Sequence, residues 1–242
     1  MEKERLQKYF TDCGVLSRRA AEAAILRGEV NVNGLPAALG DKIDPENDRV
    51  CFRGQPVLPR TGENRYLLFY KPRGMVTTLS DEKGRRCVGD VCRTLGTRVY
   101  PVGRLDLDSE GLLLLTDDGA LCERLTHPSH EIAKTYRVMV GEPVTPERLS
   151  ALGRPFLLDG YRTRPAAVRL LAPNELELTL HEGRNRQIRR MCKAVGLPVT
   201  RLVRVGIGRL TVGTLTPGRF RTLSAAEVAY LKGEENAESD CR

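Results

Sequence analysis

No C-x-x-C pair and no even set of cysteines occurs in these 242 residues; the seven cysteines stand at positions 13, 51, 87, 92, 122, 192 and 241. A disulfide framework is therefore not expected, and the cysteines read as free thiols in a reducing cytosol. Apolar runs are short: Leu112 to Leu115 is typical, far below the roughly 20 residues of a membrane helix. No apolar segment follows Met1-Glu-Lys-Glu-Arg5, so no signal peptide is expected. The three histidines, His127, His130 and His181, are not at metal-ligand spacing with the cysteines and read as surface or structural residues. No repeat of fixed period is visible. Secreted, disulfide-framed and membrane-spanning classes fall away.

What the sequence does have is positive charge. Its 39 Lys and Arg against 31 Asp and Glu give a formal charge of +8 and a pI near 9.3. A basic chain of this length, 40% hydrophobic, can bury a core in one large or two small domains and is expected to meet an anionic partner. Residues 2–60 hold ten basic and nine acidic side chains, so the excess lies elsewhere. Leu6, Tyr9 and Phe10 have the spacing of a buried helical stripe, with Gly14 as a stop. Ser17 is the expected N-cap of a second helix over Arg18 to Arg27, burying Ala20, Ala24 and Ile25 and turning Arg18, Arg19 and Arg27 outward. Gly28 ends it. Val30-Asn-Val-Asn-Gly34 reads as a strand closing in an Asn-Gly turn, with Arg49 to Arg53 as its partner.

The string Leu6-x-Lys8, Gly14, Ser17-Arg-Arg19, Ile25, Gly28-x-Val30-x-Val32-Asn-Gly34 and Gly40-Asp-Lys-Ile43 resembles an S4 domain, a small RNA-binding fold. The resemblance implies an RNA-docking module over residues 1–60 that uses Arg18, Arg19 and Arg27; a solvated helix face is the plainer account of such pairs. Residues 56–64, with two prolines, a glycine and no periodicity, are expected to form a linker.

From Arg65 the pattern turns to strands, expected at 66–70, 112–116, 134–140 and 175–180, with helices at 144–152 and 185–195. This mixture predicts an α+β domain around a mainly antiparallel sheet over residues 65–232, followed by an acidic tail, 233–242, expected to be disordered. Between Glu182 and Arg209 lie seven arginines (184, 186, 189, 190, 201, 204, 209), Lys193 and a single acid. Such a concentration suits phosphate oxygens, which the guanidinium fork matches, and makes Arg184, Arg186, Arg190 and Lys193 candidate RNA contacts. Gly183 is expected to permit a tight turn that brings Arg184 and Arg186 onto phosphate. Asp106, in a loop just before a buried strand, would be held rigidly yet remain reachable. On spacing alone, Asp106, Asp108, Asp117 and Asp118 suit a catalytic carboxylate, a divalent-metal site or plain turn residues.

Gly103-Arg-Leu-Asp106-x-x-Ser-x-Gly111-Leu-Leu-Leu-Leu-Thr-x-Asp-Gly119, then Lys134-x-Tyr136, then Glu182-Gly-Arg-Asn-Arg-Gln-Ile-Arg-Arg-Met191 resemble the successive motifs of RNA pseudouridine synthases, in the branch that acts on ribosomal RNA. The resemblance implies that Asp106 adds covalently to the target uridine while the N-glycosidic bond breaks, the base rotates and C5 joins C1′. It implies that Tyr136 stacks on the base near the C5 proton, although a strand-core aromatic is the plainer account of that residue. Arg189 would pair with the aspartate, Leu202 would pack near the base, and Arg104 would fill the gap left by the flipped uridine. Neither cofactor nor metal is implied. Asn185-Arg186 stands where the small-subunit synthase tends to a Tyr-His pair, which favours 23S over 16S rRNA. The expected protein is a cytoplasmic monomer whose partner is ribosomal RNA, with no membrane. The rival readings are a non-catalytic RNA-binding or ribosome-assembly protein and a metal-dependent phosphohydrolase built on the acids.

Overall fold

The computed structural model describes residues 3–96 and 98–234, so most of the acidic tail expected at 233–242 lies outside the described residues. The chain divides into two compact units, Met1–Asn64 with Asp117–Gly119, and Arg65–Thr116 with Ala120–Arg242.

In the first unit the helix Arg18–Leu26 begins where Ser17 Oγ accepts the Ala20 N–H at 3.1 Å. Its inward stripe is Ala21, Ala24 and Ile25, packed with Leu6, Tyr9 and Phe10 of the helix Leu6–Asp12. This corrects the expected Ala20. Ala21, Ala24 and Ile25 keep the i, i+3, i+4 spacing of one helical face, and Ala20 falls off it. Arg18 and Arg19 are exposed, while Arg27 is paired with Glu29 at 2.9 Å. The strand Val30–Val32 lies between Leu35–Pro36 and Val50–Phe52, with Gln55–Pro56 beyond. Asn33 takes a φ of 52° in the Asn-Gly turn, and its side chain donates to Asp48 and accepts the Arg49 N–H. The linker starts later than residue 56. Pro56 belongs to a strand, and buried Val57 accepts the Tyr9 hydroxyl at 2.9 Å.

The second unit is built on one sheet in the order Ala167–Ala172, Glu175–Leu180, Lys134–Val140, Val199–Ile207, Glu110–Thr116, Tyr66–Lys71, Phe220–Thr222. Neighbours along it run antiparallel apart from Val199–Ile207 and Glu110–Thr116, which are parallel, with Val203 opposite Glu110 and Arg204 opposite Gly111. The mainly antiparallel α+β fold is thus the observed one. Glu110–Thr116 is buried along its length because both its faces are covered. Leu112 and Leu114 pack with Leu68, Leu125 and Leu231, and Leu113 and Leu115 with Phe69, Val88 and Cys92. Gly111, at φ 106°, is needed where the parallel strands meet, since a Cβ there would lie 2.3 Å from the Arg204 carbonyl oxygen.

Helices Pro146–Leu152 and Gln187–Ala194 cover the other half of the sheet, where Ile188, Met191 and Cys192 join Val138, Leu176 and Leu178 in one core. Three helices beyond the sequence expectation, Val88–Thr94, Gly119–Thr126 and Ala225–Lys232, complete the covering. No described helix is long and apolar enough to cross a membrane.

Candidate active site

Asp106 sits in the loop between Tyr100–Pro101 and Glu110–Thr116, and the backbone on either side of it is clamped. Thr77 Oγ1 donates to the Leu105 carbonyl at 2.7 Å and accepts the Leu105 N–H at 3.2 Å. The Gly74 N–H donates to the Leu107 carbonyl at 2.7 Å, and the Ser109 N–H to the Asp106 carbonyl at 3.1 Å. The carboxylate itself stays 33% exposed, so a fixed backbone presents a reachable acid, as a covalent catalyst requires. Lys71 anchors the segment that supplies the clamp. Its fully buried ammonium donates to the carbonyls of Pro72 at 3.1 Å and Met75 at 2.7 Å. Burial pulls its pKa down to about 8, against the opposing attraction of Asp106, Glu110 and Asp108.

Asp106 lines a cleft of about 360 Å³ together with Tyr136, Leu202, Arg104, Arg184 and Arg186. Tyr136 belongs to the hydrophobic core, as the strand-core account expects, and also lines the cleft. It stands at a β-bulge: Thr135 pairs with Gly206 and Tyr136 with Arg204, and a bulge of this kind re-aims the side chain beside it. Leu202 faces Val138 in the same ladder.

The charges are arranged differently from the expectation. Arg189 does not pair with Asp106. Its Nε lies 3.2 Å from Asp108 Oδ2, and its Nη2 donates to the Asp108 carbonyl at 2.8 Å. Arg186 donates to both Asp108 carboxylate oxygens, at 2.9 and 2.8 Å, and approaches Asp106 to 3.8 Å. The physical reason is the turn at Leu107-Asp108, which carries the second carboxylate to Arg189 in the first turn of the helix Gln187–Ala194 and to Arg186 just ahead of that helix. The Arg186 hydrogen bond holds the Asp108 carboxyl below its usual range. The expected turn at Gly183 is made elsewhere: Arg186 takes the left-handed φ of 49° ahead of the helix, and Gly183 has no positive φ.

Nor are the seven arginines one phosphate surface. Arg184 stacks 3.6 Å over the Tyr161 ring, whose hydroxyl donates to Glu182 at 2.9 Å. Arg190 is bound to Asp159 at 2.8 and 2.5 Å, and neither it nor exposed Lys193 lines the cleft. Arg201 is paired with Glu110 at 2.6 Å, and Arg204 is buried. His127 and His181 line the cleft. Among the described residues no three His, Cys, Asp or Glu side chains gather where they could share a metal ion. Sequence reasoning missed Lys71, Gly74 and Thr77. The available signal was a lysine closing the apolar strand Tyr66–Lys71, directly before a proline.

A sequence profile described as RNA pseudouridylate synthase matches residues 65–194. The chain is 42% identical over 236 residues to ribosomal large subunit pseudouridine synthase B of Bacillus subtilis, a match covering 95% of this chain and 96% of that one. It is 36% identical over 240 residues to a dual-specificity RNA pseudouridine synthase of Shigella flexneri, covering 98% and 82%. A crystal structure of a pseudouridylate synthase matches with a TM-score of 0.69 at 32% identity, covering 94% of this chain and 99% of that one.

Proposed function

Because the chain belongs to the RNA pseudouridylate synthase family, we propose that it isomerises a specific uridine to pseudouridine in large-subunit (23S) ribosomal RNA, with 16S rRNA as the alternative substrate. The observation that carries this reading is the clamp on Leu105 and Leu107, which fixes Asp106 in the cleft that Tyr136 and Leu202 also line. Similarity to a large-subunit enzyme over 95% of this chain supports the choice of RNA.

In this reading Asp106 adds covalently to the target nucleotide as the bond between C1′ and N1 breaks, with the positive charge of Arg186 beside it. The base turns within the cleft and C5 joins C1′. Tyr136 stacks on the base and helps remove the C5 proton, Leu202 packs near the ring, and Arg189 steadies the loop through Asp108. Extruding a uridine from folded RNA costs a few kcal/mol, and exposed Arg104 fills the space left in the stack. Arg184 and Arg186 take phosphates at the cleft mouth, Arg190 and Lys193 flank them, and the first unit docks on RNA as an S4-type module through Arg18, Arg19 and Arg27. The enzyme works as a cytoplasmic monomer without a cofactor.

The test is release of tritium from 5-tritiated uridine in 23S and 16S transcripts, followed by mapping of the product. Release from 23S at one position supports the reading. Release from 16S alone moves the substrate to the small subunit, and RNA binding with no release returns the protein to the non-catalytic class.

A further inference from the structure

Arg204 lies on the strand Val199–Ile207 with 3% of its surface exposed, and no ion pair holds it among the described residues. Its Nε donates to the Leu112 carbonyl at 2.7 Å, while its Nη2 is buried with no hydrogen-bond partner. A buried guanidinium N–H without an acceptor is unfavourable unless a ligand supplies one.

The residue belongs to the candidate site. Arg204 lines the cleft with Asp106, Tyr136 and Leu202, and it is the register partner of Tyr136. Lys134, two residues before Tyr136, lines the same cleft with its ammonium on the Ile132 carbonyl at 3.0 Å. Burial pushes the Lys134 pKa down, and the neighbouring Arg204 charge pushes it further. The carboxylates of the cleft are engaged with other groups. Glu131 is paired with Arg164, Glu182 accepts from Tyr161 and Gln187, and Asp106 is near Arg186. The wall that carries Tyr136 therefore holds an excess of sequestered positive charge.

We propose that Arg204 is a catalytic residue that hydrogen-bonds a carbonyl oxygen of the target uracil and stabilises the anion the base becomes when its bond to the sugar breaks. This rests on the uridine-isomerase reading. When C1′–N1 cleaves, the bonding pair leaves with the base and spreads over N1, O2 and O4. C5 then forms its bond to C1′, loses its proton, and N1 gains one, so nothing is oxidised or reduced. A preorganised donor in a water-poor wall binds the anion more strongly than the neutral base, and so lowers the barrier to cleavage.

The test measures single-turnover conversion at saturating RNA for wild type, Arg204→Lys and Arg204→Met, with folding checked by thermal melting. The RNA carries uridine, 2-thiouridine or 4-thiouridine at the mapped position, since sulfur is the weaker acceptor. Arg204→Met is expected to slow conversion of uridine about 100- to 1000-fold, the usual effect of removing one such donor, with unchanged RNA affinity. Arg204→Lys should recover part of the rate. One thio substitution should slow the wild type yet add nothing to the defect of Arg204→Met. A folded Arg204→Met enzyme with the wild-type rate, or one that suffers the full thio loss, overturns the proposal. Should Arg204→Met not fold, wild type and Arg204→Lys decide it: if neither thio substitution slows the wild type, the proposal fails. Wild-type enzyme that makes no pseudouridine on either rRNA refutes the isomerase reading instead.

Discussion

Arg186 grips both oxygens of the Asp108 carboxylate while standing 3.8 Å from Asp106. With Arg189 on the same carboxylate, Asp108 becomes the centre of the charge arrangement and Asp106 is left the less engaged acid. That division suits a site in which one carboxylate organises and the other reacts.

Asp106→Asn should abolish isomerisation while leaving RNA affinity nearly unchanged, because in the proposed reading arginines rather than this carboxylate hold the nucleic acid. Tritium release and filter binding measured on one preparation check it; substantial product from the variant removes Asp106 from the chemistry.

Coupling between Arg189 and the two acids separates the observed pair from the expected one. A double-mutant cycle on unfolding free energy for Arg189→Leu with Asp108→Asn should give about 0.5–2 kcal/mol, held to the lower range by the 32% exposure of Asp108. The same cycle with Asp106→Asn should give close to nothing. The reverse ranking would restore the Arg189–Asp106 pair.

RNA binding should weaken steeply with salt, and Arg184→Ala should flatten the logarithmic slope by about 0.7, the value for one phosphate contact on a single strand. Arg190→Ala should change it less, since that guanidinium is already satisfied by Asp159 away from the cleft. Titrating affinity against salt for both variants is the check, and an Arg184 slope equal to wild type would take that residue off the phosphates.

Lys71 gives a pH signature of stability. Its folded pKa of about 8 lies below the ordinary 10.5, so between those values the unfolded chain binds a proton that the folded chain does not. Stability contributed through this residue should therefore rise as pH rises through that window. Urea unfolding of wild type against Lys71→Met across the window should show the difference moving in favour of wild type; a flat or falling difference counts against a depressed lysine.

Much of this was legible in the sequence, and the failures are instructive. Glu175–Leu180 was readable from its strict alternation of leucine with polar residues, and Lys134–Val140 from Thr135, Val138 and Val140 together with its alternation. The helix Val88–Thr94 was not, because Gly89, a poor helix former, stands in its first turn, where it is pressed against the Leu79 carbonyl by a contact outside the helix. Asp106 and Tyr136 could be found from their motifs. The partner of Arg189 could not, since choosing between two carboxylates two residues apart depends on which way a turn runs. Arg204 was counted with the phosphate-binding arginines because a charge tally carries no direction, although its i, i+2 relation to Leu202 places both on one face.

The sheet of the second unit consists of two antiparallel blocks meeting at a parallel seam just two register pairs long. The Asp106 loop feeds the strand on one side of that seam, and the strand bearing Tyr136 is laddered to the strand on the other. A small shear of one block past the other would change the spacing between Asp106 and Tyr136 without breaking a ladder inside either block. Backbone pressed on backbone at Gly111 leaves little room for such slippage. The seam thus acts as a fixed gauge, and under the proposed reaction it would hold the gap in which a detached base turns over and finds the same sugar again.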